Sequence, residues 1–359
     1  MEQHIGIEIL RRWRNVENLD DFTSLLNLIN SNLPFKKELY FYPVTLISLS
    51  NIYNKNRFRS FDLKTKKKTR TIAAPNGIEF KQLLRCIAIL LDLLYIPHAS
   101  AKGYIKGLSI KDNAIDHSAK KYVFNTDIVS FFDKIHQKEF IHFVEKLNVY
   151  PQNSFTSFLL QNIIANLCFH IKDGEIVLPQ GAPTSPVISN IVCLSLDDDL
   201  SKLADKNSMH YTRYADDITF SSNHNHFDSN GKFRQELNQI LKYHQFDINV
   251  SKTRLQFANQ RQMVTGLVVN KKPNVPRTYI KQLRMLIYYW ETYGEAKAMK
   301  LFVNYTLTKK ANKKNYKRVA FSNIIDGKLC YLKMIRGEDD STYLKLRARY
   351  FRLQKPNLL

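Results

Sequence analysis

The sequence predicts an α+β fold, and three observations support this. Segments rich in β-branched and aromatic residues, among them 122–132 and 211–222, have the composition of strands. Other segments carry apolar residues at the three- and four-residue spacing of helices. The chain has 359 residues and 44% hydrophobic side chains, enough for two or three structural units with a sizeable core. No internal repeat is present, which argues against a solenoid.

The charge of the chain indicates a polyanionic partner. It carries 54 Lys and Arg against 32 Asp and Glu, a formal net charge of +22. Such an excess repels itself in a compact state unless a polyanion neutralises it, so nucleic acid is the first candidate and an anionic membrane surface the second. The best apolar run, 86–96, has eleven residues and includes Asp92. Because a spanning helix needs about 20, we expect no membrane segment, and the N-terminus lacks the apolar core of a signal peptide.

The cysteines indicate neither a disulfide framework nor a zinc site. They lie at Cys86, Cys168, Cys193 and Cys330, with no CxxC pair. We therefore expect four free thiols and a cytoplasmic protein, since a reducing compartment keeps thiols unpaired.

The N-terminal third is predicted to be helical around one hairpin. Residues 1–50 have helical spacing, as in "FTSLLNLIN". "FRSFDL" (58–63) and "RTIAAP" (70–75) flank the basic turn "KTKKKT" and predict a hairpin. Residues 79–95 follow as a helix.

The middle of the chain alternates strand, helix and loop. We predict a buried strand at 122–132, a helical stretch over 137–170 and a Pro/Gly loop, "LPQGAPTSP", at 178–186. The segment "VISNIVCLSLDDDLSKLA" has helical spacing, and the hairpin 211–222 follows it.

The last third ends in basic helices. A helix at 231–244 precedes two strands, one around 246–257 and one around 262–270. The proline-rich break near 270–276 is the best domain boundary, and the pattern beyond it is helical and basic.

Three carboxylates make a candidate metal site. Asp127 lies near the end of a predicted strand, and the adjacent Asp216 and Asp217 lie at a hairpin tip 89 positions later. At about 4 Å and an effective dielectric near 20, each like-charged pair costs roughly 4 kcal/mol, so a cluster takes up protons or holds a divalent cation. Carboxylate oxygens suit Mg²⁺, and a two-metal site suits phosphoryl transfer. The alternative is a polar turn and an unrelated capping residue.

Several motifs around these acids, in order along the chain, resemble those of reverse transcriptases. The resemblance covers roughly 55–290. The motifs are a fingers motif, the first palm motif, a nucleotide-binding loop, the metal-binding hairpin, a palm motif carrying a lysine and the primer-grip hairpin, here "RTIAAP" (70–75), "FNTDIVSFFD" (124–133), "LPQGAPTSP" (178–186), "YADD" (214–217), "INVSKT" (248–253) and "TGLVV" (265–269).

Two further stretches resemble marks of bacterial retron reverse transcriptases. "NAIDH" (113–117) matches an NAxxH pattern, and "VTG" (264–266) matches the second mark. Each is short, but both stand in their proper places around the polymerase motifs. The best interpretation is therefore a retron enzyme.

The resemblance implies a right-hand polymerase architecture within the α+β class. Its parts would be a helical N-terminal extension (1–50), fingers (51–121), a first palm segment (122–136), a helical insertion between fingers and palm (137–177), a second palm segment (178–270) and a basic helical thumb (271–359).

The resemblance also assigns the catalytic and metal-binding residues. Asp127, Asp216 and Asp217 would hold two Mg²⁺ ions, with a further contact from the backbone carbonyl of Ile128.

The incoming dNTP would meet six residues. Phe132 would be the steric gate against a ribose 2′-hydroxyl. Lys252 would protonate the leaving pyrophosphate or orient the triphosphate, although a surface lysine is an alternative. The expected nucleotide-binding set is Arg70, Lys68, Phe132, Gln180, Gly181 and Lys252.

Other residues are expected to contact nucleic acid. Tyr214 and Gly266 would lie at the primer end, and Lys281 and Arg284 share a helical face that would grip template and primer. The basic run 309–318, with six positive charges in ten residues, would bind the folded RNA or serve as a solubilising face.

The two retron-specific polar residues, Asn113 and His117, are four apart and share a helical face. They would contact the enzyme's own RNA or brace the fold beneath it. His224 and His226 are interpreted as part of a solvated loop.

The predicted activity is RNA-templated DNA synthesis. For a retron the template is a structured non-coding RNA, and priming from an internal guanosine 2′-hydroxyl yields branched RNA-linked single-stranded DNA, msDNA, which stays bound. The family also implies a role in antiphage defence with a separately encoded effector protein. Only 89 residues follow position 270, with one acidic cluster at 337–340, so we expect no ribonuclease H domain and a host ribonuclease H as a partner.

Two alternatives remain at this point. Another bacterial reverse transcriptase, such as a group II intron type, would share the polymerase motifs, but we see no intron endonuclease domain. A catalytically inactive RNA-binding scaffold would have no need for the intact acids Asp127, Asp216 and Asp217.

Overall fold

The computed structural model describes residues 3–34, 39–64, 69–147, 154–228, 231–309 and 319–354. Its α-helices are α1 (Gln3–Arg14), α2 (Leu19–Ser31), α3 (Pro43–Ser50), α4 (Ile78–Leu94), α5 (Ile110–Ile115), α6 (Gln137–Leu147), α7 (Ser154–Cys168), α8 (Ser185–Val192), α9 (Leu194–Lys206), α10 (Lys232–Tyr243), α11 (Arg277–Lys309, kinked at Gly294), α12 (Phe321–Arg336) and α13 (Ser341–Gln354).

Within the described ranges, the strands form four small sheets. They are β1 (Phe58–Lys64), β2 (Thr69–Pro75), β3 (Tyr122–Asp127), β4 (His170–Lys172), β5 (Glu175–Val177), β6 (His210–Tyr214), β7 (Asp217–Ser222), β8 (Arg254–Phe257), β9 (Met263–Val264) and β10 (Leu267–Val268). Three of the sheets are antiparallel hairpins, β1–β2, β4–β5 and β9–β10. The fourth has the order β6-β7-β3-β8 and is antiparallel throughout. Mixed helix and strand content confirms the α+β class.

The four-stranded sheet lies between two hydrophobic cores, because successive side chains of a strand point to opposite faces. Phe124 of β3 and Phe220 of β7 face a large core shared with the N-terminal helices and with α4 and α7 to α10. Val123 of β3 faces a second core with Ala114 of α5 and the C-terminal helices. The sheet therefore joins the two halves of the molecule.

The C-terminal helices pack on each other over an apolar stripe. Leu283 and Ile287 of α11 are fully buried, while Lys281 and Arg284 are exposed on the same helix. Residues 310–318, which hold most of the predicted basic run, lie outside the described residues.

The structure changes three predicted strands. The strand predicted over 122–132 ends at Asp127, since Ser130 adopts a left-handed φ of 50° and a short 3₁₀ helix follows at Phe131–Lys134. Only β8 forms within 246–257, and it follows a second 3₁₀ helix, Val250–Lys252. The stretch 262–270 folds back on itself as β9 and β10 rather than forming one strand.

The structure also bears on the predicted thiols and on the prediction about membrane segments. All four cysteines are free thiols; three are buried and Cys330 is exposed. No helix within the described ranges has both the length and the apolar character needed to cross a bilayer.

Candidate active site

Strand pairing brings the three predicted acids to one end of the central sheet. Asp127, the last residue of β3, is the register partner of Asp217, the first residue of β7. Ala215 and Asp216 form the turn between β6 and β7, and the backbone amide of Ile128 donates to the carbonyl oxygen of Asp216 at 3.0 Å. The side chain of Ile128 is buried, and Ile128 lines a cleft together with Asp127 and Asp216. Acids 89 positions apart in sequence thus become neighbours.

The electrostatics of this cluster favour binding of a cation. Desolvation within the cleft, followed by the charges of neighbouring carboxylates, raises the pKa of Asp216 and raises that of Asp217 to about 6. Lys252 donates to both carboxylate oxygens of Asp127 at 2.6 Å, and the side chain of Asn249 donates to one of them at 3.3 Å. The ammonium group of Lys252 therefore supplies a positive charge next to the carboxylates.

The donor chemistry suits a hard divalent cation, because carboxylate oxygens are the ligands that Mg²⁺ prefers. No group of three or more acidic, histidine or cysteine side chains within the described ranges is already arranged as a metal site. Asp127 also lies 2.6 Å from the ammonium of Lys252. The donor chemistry of the three acids fits the metal.

A cleft of about 340 Å³ joins the acids to most of the predicted nucleotide-binding residues. Arg70, Phe132, Gln180 and Lys252 all line it, together with Asp127 and Asp216. Lys68 lies outside the described residues. Sequence reasoning missed Tyr104 and Lys172, which also line the cleft; the ammonium of Lys172 lies 2.7 Å from a carboxylate oxygen of Asp133.

Gly181 allows the nucleotide-binding loop to press against the fingers hairpin. Its φ of 139° disfavours other residues, and a Cβ there would lie 2.8 Å from Cγ2 of Ile72 and 3.0 Å from the carbonyl oxygen of Ala73. The backbone amide of Ala73 donates to the carbonyl oxygen of Gln180 at 3.0 Å. The loop and strand β2, which carries Arg70, thus form one wall of the cleft.

A second cavity of about 520 Å³ lies beside the first. Tyr214, Gly266, Asp217 and Lys252 line it, along with Thr265 and Ile110. The two predicted primer residues, Tyr214 and Gly266, are thus brought together with the acids. Lys281 and Arg284 do not line either cavity; they are exposed on α11.

The retron-specific pair is buried beneath the sheet. Asn113 is 1% exposed and His117 0% exposed. His117 bonds to the hydroxyls of Ser221 and Thr212, each at 2.7 Å, and the hydroxyl of Thr212 donates to Asn113 at 2.7 Å. This burial corrects the expectation that Asn113 and His117 contact RNA directly, and it favours the alternative of a brace.

A buried ion pair supports the other face of the acidic hairpin, and sequence reasoning missed it. Arg213 donates to both carboxylate oxygens of Asp197, at 2.8 and 2.6 Å, with both side chains fully buried. Arg213 also donates to the carbonyl oxygen of Ala215 at 3.3 Å, which lies in the turn before Asp216. The sequence gives one sign of this pair: a formally charged residue, Arg213, within a strand whose other residues are uncharged.

Some of the strained backbone positions lie at or next to the two cavities. Tyr104, Ser130, Ala215 and Thr265 all have a positive φ, between 45° and 63°. Residues other than glycine rarely adopt this conformation, and they keep it only where the surrounding structure enforces it. Such strain is typical of a functional site.

Comparison with known proteins agrees with this geometry. A family model described as "Reverse transcriptase (RNA-dependent DNA polymerase)" matches residues 55–286. The chain is 31% identical over 240 residues to the Retron Mx162 reverse transcriptase of Myxococcus xanthus, covering 61% of this chain and 49% of that protein. It is 36% identical over 160 residues to the Retron Ec83 reverse transcriptase of Escherichia coli, covering 43% of this chain and 49% of that protein.

A third relative is matched over more of its length. The Retron Ec86 reverse transcriptase of Escherichia coli is 28% identical over 280 residues, covering 75% of this chain and 83% of that protein. The chain spans about half the length of the first two relatives.

Proposed function

This chain belongs to the reverse transcriptase family, and from that premise we propose that it synthesises DNA on an RNA template. One observation carries the proposal. Asp127, Asp216 and Asp217 meet at one end of the sheet, and Asp127 and Asp216 line a cleft together with Arg70 and Phe132. A cation-binding end, a phosphate-binding arginine and an aromatic floor are the parts that nucleotide addition requires.

In the proposed reaction, the primer hydroxyl oxygen bonds to the α-phosphorus of a dNTP. The bond from that phosphorus to the bridging oxygen of pyrophosphate breaks, and pyrophosphate leaves. Two Mg²⁺ ions held by Asp127, Asp216 and Asp217, with the carbonyl of Ile128, would activate the hydroxyl and neutralise the charge on the phosphates.

The chain's own residues position the nucleotide. The guanidinium of Arg70 suits bidentate contact with triphosphate oxygens. Gln180 and Phe132 line the cleft. We assign Gln180 and Gly181 to contact with the incoming nucleotide, and the ring of Phe132 to exclusion of a ribose 2′-hydroxyl. Lys252, which lines the same cleft, would protonate the leaving pyrophosphate or orient the triphosphate.

The molecule would have the palm, fingers and thumb of a right-hand polymerase. We assign the palm to 122–136 and 178–270, the fingers to 51–121, the helical insertion to 137–177 and the thumb to 271–359. The helical extension 1–50 packs on α4 through the shared core.

The similarity to retron enzymes supports a more specific product. We propose that the template is the enzyme's own structured non-coding RNA and that the product is msDNA, branched RNA-linked single-stranded DNA that stays bound. A host ribonuclease H would remove copied RNA, and a separately encoded effector protein would connect the complex to antiphage defence. The relatives named "retron" support this proposal.

The polymerase proposal is tested by primer extension on an RNA template with Mg²⁺ and dNTPs. We expect incorporation that stops on addition of EDTA or a dideoxynucleotide. Asp216→Asn and Asp217→Asn should each lower the rate by at least about 100-fold, because each removes a charge from the cation-binding end.

A variant outside the site serves as the control. Asp198→Asn lies on α9 and is half-exposed to solvent, so it should keep the wild-type rate. Full incorporation by both hairpin variants would refute the proposal. The retron product is tested separately, by ribonuclease digestion of nucleic acid that copurifies with the protein from its host; a discrete single-stranded DNA is expected, and RNA alone would exclude msDNA.

A further inference from the structure

Five polar side chains from three separate parts of the chain meet between the central sheet and the second cavity. They are Asn113 and His117 on and after α5, Thr212 and Ser221 on β6 and β7, and Thr265 in the turn between β9 and β10. Their hydrogen bonds join the turn at Thr265 to the strands that carry the acids.

The donor and the acceptor of every hydrogen bond in this cluster can be assigned by starting from the carbonyl oxygen of Ile110. The carbonyl oxygen of Ile110 only accepts, so the hydroxyl of Thr265 donates to it, at 3.3 Å. Thr265 has one proton, so it accepts from Asn113 at 3.4 Å, and the group of Asn113 that faces it is the NH₂. The amide oxygen of Asn113 therefore faces Thr212, whose hydroxyl donates to it at 2.7 Å.

The same reasoning determines the tautomer of His117. Because the hydroxyl proton of Thr212 is already given to Asn113, Thr212 accepts from Nε2 of His117 at 2.7 Å. Nε2 carries the proton, and in a neutral ring Nδ1 is then bare and accepts from the hydroxyl of Ser221 at 2.7 Å. The result is a one-way chain from Ser221 to Ile110. In a protonated His117, Nδ1 would donate to the hydroxyl of Ser221, so the direction of this one bond would reverse.

The environment keeps His117 neutral. Burial, and then the positive charges of His210, Lys120 and Lys102, lower the pKa of His117 to about 3. Its own ring contacts are two uncharged hydroxyls, from β6 and β7. The ring therefore keeps one fixed set of donor and acceptor roles at neutral pH.

Thr265 provides an independent observation. It is β-branched, yet its φ is 45°, a conformation that such residues avoid. Strain of this kind persists only where the surroundings over-determine the backbone. The hydrogen bonds to Asn113 and Ile110 are such a constraint, since they tie the Thr265 side chain to α5.

The chain of bonds ends at the wall of the second cavity. Thr265, Gly266 and Ile110 line this cavity together with Tyr214 and Asp217. In the antiparallel register, Thr212 and Ser221 lie on the same face of the sheet as Tyr214 and Asp217. The distance from the Thr265–Gly266 turn to the acids is thus set through Asn113 and His117.

We propose that Asn113 and His117 are positioning residues, which hold the Thr265–Gly266 turn at a fixed distance from the acidic hairpin and so place the 3′ end of the primer. The placing of a primer rests on the proposed polymerase function. The chain of hydrogen bonds does not, and it is tested by itself.

The first test is NMR of the whole protein labelled with ¹⁵N-histidine, with the His117 signals identified by their loss in His117→Gln. We expect a neutral ring with the proton on Nε2, unchanged from about pH 8 to about pH 5, where an ordinary histidine has titrated. A proton on Nδ1, or titration near pH 6.5, would overturn the chain of bonds.

The second test isolates the Thr265 hydroxyl. Thr265→Val keeps the β-branched shape and removes one link, so the KM for an annealed RNA template and DNA primer should rise about 10-fold. The KM for dNTP and kcat should change by less than about twofold, since the acids and the cleft are untouched. Thr265→Ser restores the hydroxyl and should restore the lost primer affinity.

The outcomes separate the two proposals. An unchanged primer KM in Thr265→Val, or equal losses in the valine and serine variants, would overturn the positioning role. A wild-type protein that extends no primer would overturn the polymerase function and leave the NMR result to judge the hydrogen bonds. Thermal unfolding of each variant shows whether any loss comes from misfolding.

Discussion

The three acids of the site differ in how their charges are balanced. Asp127 contacts Lys252 directly, whereas Asp216 is influenced by Lys252 and Arg70 without a direct ion pair. The pKa of Asp216 and of Asp217 stays raised because desolvation and the neighbouring carboxylates outweigh the nearby cations. The site therefore retains the capacity to bind further positive charge.

His117 should make stability depend on pH. Its folded pKa, about 3, lies below the ordinary value of 6.5, so the unfolded chain binds a proton between these values and the folded chain does not. The free energy of unfolding should therefore fall by up to about 1.4 kcal/mol per pH unit as the pH drops below 6.5. Above pH 6.5, the contribution of His117 to the free energy of unfolding should be fully present.

The measurement is urea unfolding of wild type and His117→Gln between about pH 7 and pH 5. Glutamine does not titrate, so the difference between the two proteins should shrink as the pH falls. Parallel curves would show that His117 is not held neutral by burial.

The β6–β7 hairpin is supported from three sides. The buried pair Arg213–Asp197 lies on one face, and the hydroxyls bound by His117 lie on the other. The segment before α5 pairs with its edge, since the amide of Lys102 donates to the carbonyl oxygen of Arg213 at 2.8 Å. Gly103 permits this approach, because a Cβ there would lie 2.6 Å from the amide nitrogen of Ala215.

The buried ion pair gives the prediction for this element. Asp197→Asn should lower the free energy of unfolding by about 3–5 kcal/mol, because it leaves the Arg213 guanidinium buried without a counter-charge. The double variant Asp197→Leu with Arg213→Met should lose less than Asp197→Asn, since no charge remains buried. Chemical denaturation measures both, and a double variant weaker than the single one would contradict this account.

The whole molecule is organised around the sheet. The reverse transcriptase family model and the α+β arrangement together confirm the right-hand polymerase fold that the motifs predicted. Two cores on opposite faces of one sheet hold the acids between the N-terminal helices and α11 to α13. The net charge of the chain, +22, creates a positive electrostatic potential that attracts polyanions.

RNA binding should therefore weaken steeply with salt. For the wild type we expect log K to fall linearly with log[salt], and Lys281→Ala with Arg284→Ala should reduce the slope by about 1–2, one for each lost phosphate contact. Anisotropy of a labelled RNA hairpin measures both. Lys232→Ala with Lys242→Ala removes the same charge from α10, which packs on the opposite face of the sheet. An equal change of slope in this control would show that α11 is not a specific contact.

Much of the site was predictable because its chemistry lies in short, ordered motifs. Asp127, Asp216 and Asp217 were identified as one cluster, and Arg70, Phe132, Gln180 and Lys252 do line one cleft with Asp127 and Asp216. The end of β3 was misplaced, because the β-branched and aromatic residues 128–132 have strand composition while the turn at Ser130 depends on contacts outside the segment.

The sequence by itself determined the fold class and the candidate acids, and it predicted a polyanionic partner, because composition, periodicity and residue type act locally. Only the tertiary structure decided what Asn113 and His117 do and which partner Arg213 has. The physical reason is that a buried polar group must find a hydrogen-bond partner, and here the partners lie up to 152 positions away along the chain.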